Sequence, residues 1–193
     1  QWWAHQVIGA DVLGATMLSE SASEYVALKV LEHQHGKTKM RKFLKDALDK
    51  YLLARTTETK RENALMYNDG QPYIRYQKGS LVFYALSEYI GEEKMNFALK
   101  KYVEKVKFQE APYTTSIEMV DHFREVTPDS LQYVIKDMFE TITLYRNRIV
   151  DVKSTALENG KYEVEIEFNV SKYRNNEKGR RYYGEKAGDT ISF

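Results

Sequence analysis

The sequence predicts a mainly α-helical chain that runs into the start of an antiparallel β-domain. Apolar residues recur at helical spacing from residue 20 to about residue 142. The period then changes to two, because apolar and polar residues alternate strictly through "KYEVEIEFNV" (161–170). We therefore predict a helical domain over 1–142 and the beginning of a β-domain over 143–193.

In the helical part, "KTKMRKFLKDALDKYLLAR" (37–55) follows the i, i+3, i+4 apolar pattern of an amphipathic helix. Gly36 is predicted to end the helix before it. The next stretch, "TTETKRENALMYNDGQP" (56–72), loses the period and collects Asn, Asp, Gly and Pro, which predicts a long loop. A loop of that length in a compact domain is more often functional or mobile than idle.

Four more helices are predicted after the loop. "KGSLVFYALSEYIG" (78–91) is apolar nearly all round and predicts a buried helix that ends at Gly91, followed by an amphipathic helix. Thr115 with Glu118 forms a capping-box pattern that opens the next helix. Thr127-Pro128 predicts an N-cap with Pro at the first helical position of the last.

The β-part begins with a hairpin signal, Asn159-Gly160. It predicts that "RIVDVKSTAL" (148–157) pairs antiparallel with the alternating strand, which should have one wet face. "DTISF" (189–193) predicts a further short strand. Since a complete β-domain needs more strands than these, we expect the C-terminus to be truncated.

The composition excludes several functional classes. The 193 residues are 42% hydrophobic and 30% charged, with net charge +1, which argues against a dedicated nucleic-acid or membrane-surface binder. The best apolar run, "LVFYAL" (81–86), is far too short for direct membrane insertion. The absence of Cys excludes disulfides, Cys-ligated zinc and thiol nucleophiles, so a metal would need His and carboxylates.

Two carboxylates are candidates for a metal site. Glu20 and Glu24 lie one helical turn apart in "SESASEY" (19–25). Spacing alone favours a solvated acidic face at a helix N-terminus. The alternative makes Glu20 a ligand in a zinc site that takes three protein ligands and leaves a position for water. Glu24 would then orient a ligand or accept a hydrogen bond, or else pair with Lys29 or cap its helix locally.

Two segments together resemble the M1 (gluzincin) zinc aminopeptidases. In that family H-E-x-x-H is followed by Gln-Trp-aromatic and then by W-L-N-E-G-F-A-x-Y, which Gln1-Trp2-Trp3 and "MLSESASEY" (17–25) resemble. The resemblance implies that Glu20 is the third zinc ligand. Both zinc-binding His and the general-base Glu are then expected just before Gln1, which makes the catalytic domain truncated at its N-terminus.

The second matching segment is "PYIRYQKGSLVFYAL" (72–86), which resembles the family's Y-x-K-G motif through Tyr76, Lys78 and Gly79. The resemblance implies that Tyr76 is catalytic. It would donate a hydrogen bond to the tetrahedral oxyanion while zinc polarises the same carbonyl. The Ser-Glu-Ser sequence departs from the family's Asn-Glu-Gly, and the spacing to Glu20 is one residue longer than usual.

The resemblance implies a fold: the helical C-terminal half of a gluzincin peptidase domain, followed by the start of an antiparallel β-sandwich domain that the Asn159-Gly160 hairpin would begin. It also implies a hydrolase: a zinc-dependent aminopeptidase of a bacterial branch, with Zn²⁺ as cofactor and peptides as substrates. The chain alone is expected to be inactive without the upstream motif. One alternative is a non-catalytic helical interaction module that kept the fold. Another is a peptidase-like module of a membrane transporter, in which case the parent protein is membrane-associated.

The remaining candidates are given no chemistry. His5 is expected to lie in a loop, and His33 and His35 to favour the C-terminal dipole of their helix. His122 is assigned no role. The stretch 171–186 holds six basic and two acidic residues with Tyr interleaved, which is more typical of a solvated β-loop than of a nucleic-acid site.

Overall fold

The computed structural model describes residues 7–10, 13–175 and 181–183, the last three by their backbone alone. The chain divides into two compact units, Gln1–Thr141 and Ile142–Phe193. The first is helical and the second is an antiparallel sheet, so the described chain is mostly helical with a β-hairpin at its C-terminal end, as predicted.

The helices of the first unit follow one another in chain order, with a long connection between α2 and α3. They are α1 (Ala22–His35), α2 (Lys37–Thr57), α3 (Gly79–Ile90), α4 (Glu92–Val106), α5 (Ser116–Val126) and α6 (Gln132–Ile135). Gly36 and Gly91, at φ +80° and +89°, separate α1 from α2 and α3 from α4, which confirms both predicted helix ends. The predicted loop is also present between α2 and α3, with one 3₁₀ turn at Leu65–Tyr67.

The two predicted caps have different outcomes. Thr115 Oγ1 accepts the N–H of Glu118 at 3.3 Å, so this N-cap of α5 is confirmed. The prediction for Thr127-Pro128 is wrong. The Thr127 hydroxyl donates to the carbonyl of Phe123 at 2.7 Å, which uses it on the preceding helix. Only a 3₁₀ turn, Asp129–Leu131, follows Pro128, and the regular part of α6 is one turn long.

Helices α1 and α3 each begin with a π-helical turn, a rare geometry that often occurs at functional sites. Met17–Ser21 leads into α1, and we call it the Glu20 turn. Ile74–Lys78 leads into α3, and we call it the Tyr76 turn. A third π-helical turn, Lys136–Glu140, ends the helical unit and carries no predicted site residue. The sequence predicted helix only from residue 20 and from residue 78 at the first two places, and nothing in it indicated this geometry.

An aromatic cluster forms the centre of the helical unit. Phe83 of α3 packs edge-on against Phe123 of α5 with ring centroids 5.5 Å apart, and it contacts Phe139 at 5.6 Å. Tyr25 of α1 lies 6.0 Å from the same ring. This cluster confirms that α3 is the buried helix, because neighbouring helices on several sides pack against it.

The second unit is a sheet in which β1 (Ile142–Ala156) pairs antiparallel with β2 (Tyr162–Asn175), and β2 with the short β3 (Arg181–Tyr183). The Asn159-Gly160 turn joins the long strands, with Gly160 at φ +75°, so the predicted hairpin is confirmed. The apolar side chains of β2 are exposed rather than buried, from 42% for Ile166 to 69% for Tyr162. The predicted strand at 189–193 lies outside the described residues.

Within the part of the chain that the structure describes, no helix has the length and apolar character needed to cross a membrane. The basic stretch 171–186 is described only where it forms the end of β2 and β3.

Candidate functional site

The segments that carry the two predicted motifs meet in the structure, although they are more than fifty residues apart in the sequence. The hydroxyl of Ser21, the last residue of the Glu20 turn, donates a 2.6 Å hydrogen bond to the backbone carbonyl of Arg75. Arg75 directly precedes Tyr76. The contact therefore joins the neighbour of the predicted zinc ligand to the neighbour of the predicted catalytic tyrosine.

The crossing of the two turns requires glycine at residue 79. A Cβ atom at Gly79 would lie 2.1 Å from the Ser21 Oγ and 2.5 Å from the Ser21 Cβ. Neither distance is compatible with van der Waals contact, so a larger residue would force the turns apart. Gly79, the last residue of the Tyr-x-Lys-Gly segment, is thus explained by close helix packing rather than by chemistry.

Glu20 is partly accessible and lies at the edge of a small pocket. The pocket has a volume of about 130 Å³ and is lined by residues 8, 10, 15, 16 and 18–20. Among the described residues the Glu20 carboxylate makes no ion pair and no hydrogen bond. The carboxylate is therefore available to a ligand, although the pocket is too small for a peptide.

Glu24 is exposed on the first turn of α1, whereas Glu20 is partly buried. The alternative partner considered for Glu24 is engaged elsewhere, because Lys29 Nζ lies 2.5 Å from Glu32 and 2.8 Å from Glu92. The role of Glu24 in orienting a metal ligand stays a prediction.

Tyr76 is partly buried on its turn and lies beside a cation. The guanidinium carbon of Arg75 is 5.1 Å from the centre of the Tyr76 ring, within the range of a cation–π interaction. The Arg75 Nε is buried and has no hydrogen-bond acceptor among the described residues. The Arg75 guanidinium therefore lies against the Tyr76 ring.

The lysine of the second motif is held by a buried carboxylate. Lys78 Nζ lies 2.5 Å from Glu62 Oε1, and the Lys78 and Glu62 side chains are only 12% and 6% exposed. Arg55 Nε of α2 donates to the other oxygen of Glu62 at 2.8 Å. Glu62 therefore joins the long loop to both α2 and the Tyr76 turn.

The histidines lie away from Glu20 or outside the described residues. His33 and His35 are exposed in the last turn of α1, where the prediction placed them. His122 is buried in α5, with Nδ1 2.8 Å from the Glu118 carbonyl and its ring edge-on to Tyr102. His5 lies outside the described residues, as do Gln1, Trp2 and Trp3.

Over residues 7–10, 13–175 and 181–183, no three His, Asp or Glu side chains form a group that could hold a metal ion. Glu20 by itself is thus a single potential ligand rather than a zinc site. Any further ligands would have to come from outside these residues.

Comparisons with family models, with curated proteins and with solved structures were made for the whole chain. None of the three finds a match. The resemblance to the M1 aminopeptidases therefore rests on the quoted residues alone.

Two residues next to the predicted site were not found from the sequence. Glu62 lies in the aperiodic loop, where nothing distinguishes it from the neighbouring acidic residue Glu58. Arg75 lies inside the second quoted segment, but a basic residue before Tyr carries no pattern of its own. Both are recognised only from their burial and contacts.

Proposed function

We propose that this chain is part of a zinc-dependent aminopeptidase of the M1 type, in which Glu20 is one zinc ligand and Tyr76 acts on the scissile carbonyl. The observation that supports the proposal most is the contact between the two turns through Ser21 and Arg75. Two segments that resemble successive motifs of one active site are side by side in this fold. If the two segments resembled the family motifs only by chance, they would not need to be in contact.

In this proposal the residues of the chain have distinct tasks. The Glu20 carboxylate occupies one ligand position, and two further ligands and a general base come from outside the described residues. A zinc ion at such a site polarises a carbonyl and lowers the pKa of bound water. The Tyr76 phenol donates a hydrogen bond to the oxygen on which negative charge develops.

The first experiment measures zinc in the 193-residue chain by elemental analysis, after dialysis against excess zinc and then against zinc-free buffer. We expect no retained zinc, because the described residues hold no group of three ligands. One tightly held zinc per chain would contradict this ligand assignment.

The second experiment uses a protein that includes any residues encoded upstream of Gln1. We expect one zinc per chain and hydrolysis of peptides that have a free N-terminus, but not of their N-acetylated forms. Glu20→Ala should lose both zinc and activity. Tyr76→Phe should keep zinc and lower kcat by about 10²–10³-fold, the usual effect of removing one oxyanion donor.

The matched control is Tyr89→Phe. This substitution also removes one phenol hydroxyl, but from an unrelated position on α3 where Tyr89 is 51% exposed. Its kcat should equal that of the parent. Zinc binding without hydrolysis of any peptide would instead favour the non-catalytic module. An unchanged kcat in Tyr76→Phe would overturn the role of Tyr76.

A further inference from the structure

We propose that Glu62 is a positioning residue for Tyr76, acting through Lys78. The catalytic consequence rests on the function proposed above, whereas the structural anchor does not. Glu62 belongs to the long loop between α2 and α3, and neither quoted motif includes it. Its buried carboxylate fastens the C-terminal end of the Tyr76 turn.

The carboxylate of Glu62 receives donors from two parts of the helical unit. Lys78 Nζ of the Tyr76 turn lies 2.5 Å from Oε1. From α2, Arg55 Nε lies 2.8 Å from Oε2, and the Tyr51 hydroxyl donates at 3.1 Å to the same oxygen. The two cations and one hydroxyl satisfy a charge that is almost completely removed from water.

Breaking the buried ion pair between Lys78 and Glu62 costs free energy. Removing one partner of a buried ion pair leaves the other charge uncompensated in a medium of low dielectric constant, which is strongly unfavourable. The Lys78 side chain, at 12% exposure, cannot be fully rehydrated without moving. The turn is therefore held near Glu62 as long as the carboxylate is present.

The loop that carries Glu62 is itself fixed at a second point. Gln71 Nε2 donates to the carbonyl of Arg61 at 3.1 Å and to Glu58 at 3.2 Å, and Gln71 Oε1 accepts the N–H of Asn63 at 2.8 Å. These bonds link the end of the loop to the residues on both sides of Glu62. The carboxylate is thus presented by a structured loop.

The pKa of Tyr73 is affected by the negative charge of Glu62. Burial, followed by the negative charges of Glu62 and Glu58, raises the pKa of Tyr73 to about 12. Tyr73 directly precedes the Tyr76 turn, and its ring lies 6.0 Å from that of Tyr51. The Glu62 cluster and the start of the turn are therefore parts of one packed region.

Tyr76 consequently lies between two anchors. On its N-terminal side the carbonyl of Arg75 accepts the hydroxyl of Ser21, and on its C-terminal side Lys78 binds Glu62. Fixing the backbone on both sides restricts where the phenol can point. A donor that meets an oxyanion only in the transition state needs this kind of preorganisation.

The kinetic test compares Glu62→Gln with the parent in the upstream-extended protein. We expect kcat to fall by about 10²-fold, as for a small misplacement of a reacting group, with KM little changed. Glu62→Asp keeps the charge and should recover part of the loss. The control is Glu125→Gln, which removes a carboxylate from the exposed Lys101–Glu125 pair and should leave kcat unchanged.

A second measurement does not depend on the proposed function. In the 193-residue chain, Glu62→Gln should accelerate amide hydrogen exchange of residues 74–79 by at least about tenfold, while α4 exchanges as before. Lys78→Gln is the companion variant, because Glu62 then keeps Arg55 and Tyr51. It should accelerate the exchange of the same six amides without accelerating exchange in the loop at 58–73.

The outcomes separate the two proposals. Faster exchange at 74–79 in a protein whose parent form hydrolyses no peptide would support the anchor and contradict the peptidase. An active parent whose Glu62→Gln variant keeps both kcat and local exchange would overturn the anchor. If Glu62→Gln unfolds throughout, Lys78→Gln decides, and parental exchange at 74–79 in that variant would overturn the proposal.

Discussion

Ser21 packs against Gly79 so closely that there is no room for a methyl group between them. The Ser21 Oγ, which donates to the Arg75 carbonyl at 2.6 Å, lies 2.1 Å from where a Cβ of residue 79 would be. The same crossing thus contains a hydrogen bond and a steric limit. Because it joins the Glu20 turn to the Tyr76 turn, its integrity controls how the two predicted site residues are held.

Gly79→Ala should lower the free energy of unfolding by about 1–3 kcal/mol, the range for inserting atoms into a packed site. Rotation of the Ser21 hydroxyl does not relieve the overlap, because the Ser21 Cβ would still be 2.5 Å away. With Ser21→Gly in the background, the two closest atoms are gone and only the Cα of residue 21 stays near, at 3.3 Å, so most of the cost of Gly79→Ala should disappear. Urea unfolding of the four proteins measures this coupling.

Ser23→Gly serves as the matched control for that cycle. Ser23 lies in α1 and donates to the carbonyl of Ser19 at 2.6 Å, within its own helical segment. In this background Gly79→Ala should keep its full cost. Equal costs in the Ser21→Gly and Ser23→Gly backgrounds would show that the Ser21–Gly79 contact is not what limits residue 79.

Gly14 and Gly36 form a matched pair for separating backbone strain from overlap. Both have positive φ, at +86° and +80°. A Cβ at Gly14 would lie 2.1 Å from the Met66 carbonyl oxygen and 2.4 Å from the Ser116 Oγ, whereas nothing lies within 4 Å of a Cβ at Gly36. Gly36→Ala should cost about 1–3 kcal/mol from conformation alone, and Gly14→Ala should cost more.

The difference in unfolding free energy between these two variants measures how much the steric overlap at Gly14 destabilises the protein. It should exceed about 1 kcal/mol, because the nearest atom belongs to backbone that cannot rotate away. Thermal unfolding of both variants at one protein concentration gives the comparison. Indistinguishable midpoints would mean that the segment around Gly14 moves freely away from Met66.

Glu118 should make the stability of the helical unit depend on pH. Its pKa is lowered from the ordinary value of 4.5, chiefly by the hydrogen bond from Lys105 and then by that from Thr114. A lowered folded-state pKa means that the ionised form is stabilised by folding. The contribution is therefore present above pH 4.5 and is lost as the pH falls through the folded-state value.

Urea unfolding of the parent and of Glu118→Gln from pH 7 to pH 3 measures this contribution. The parent should be more stable at pH 7 by less than about 1 kcal/mol, since the Lys105 end of the pair is exposed. The difference should shrink below pH 4.5. Lys105→Met should reduce the pH dependence in the same way, and a difference that grows on acidification would reverse the assignment.

Much of the helical order could be predicted from the sequence. The helix at 37–55, the glycine ends at Gly36 and Gly91 and the Thr115 cap each depend on residues close together in the chain. The cap predicted at Thr127 failed because the hydroxyl has two possible partners nearby. The sequence does not say which of them, the preceding carbonyl or the following amide, the folded chain will offer.

The candidate site also has features that could be predicted from the sequence and features that could not. Glu20 and Tyr76 could be named from local patterns, because a resemblance is carried by neighbouring residues. The π-helical geometry of their turns could not be predicted, since each is a single turn of i→i+5 hydrogen bonds, too short to give the sequence a period of its own. The anchoring role of Glu62 depends on Lys78 and Arg55 converging on one buried point.

The sequence by itself determined the helical and strand periods, the hairpin turn and the identity of the residues that resemble a peptidase site. These features follow from interactions within a few residues, where spacing fixes which side chains meet. Only the tertiary structure decided that Ser21 meets Arg75 and that Glu62 holds Lys78. Such contacts depend on how whole helices cross, and the free energy of crossing is shared among many packed side chains.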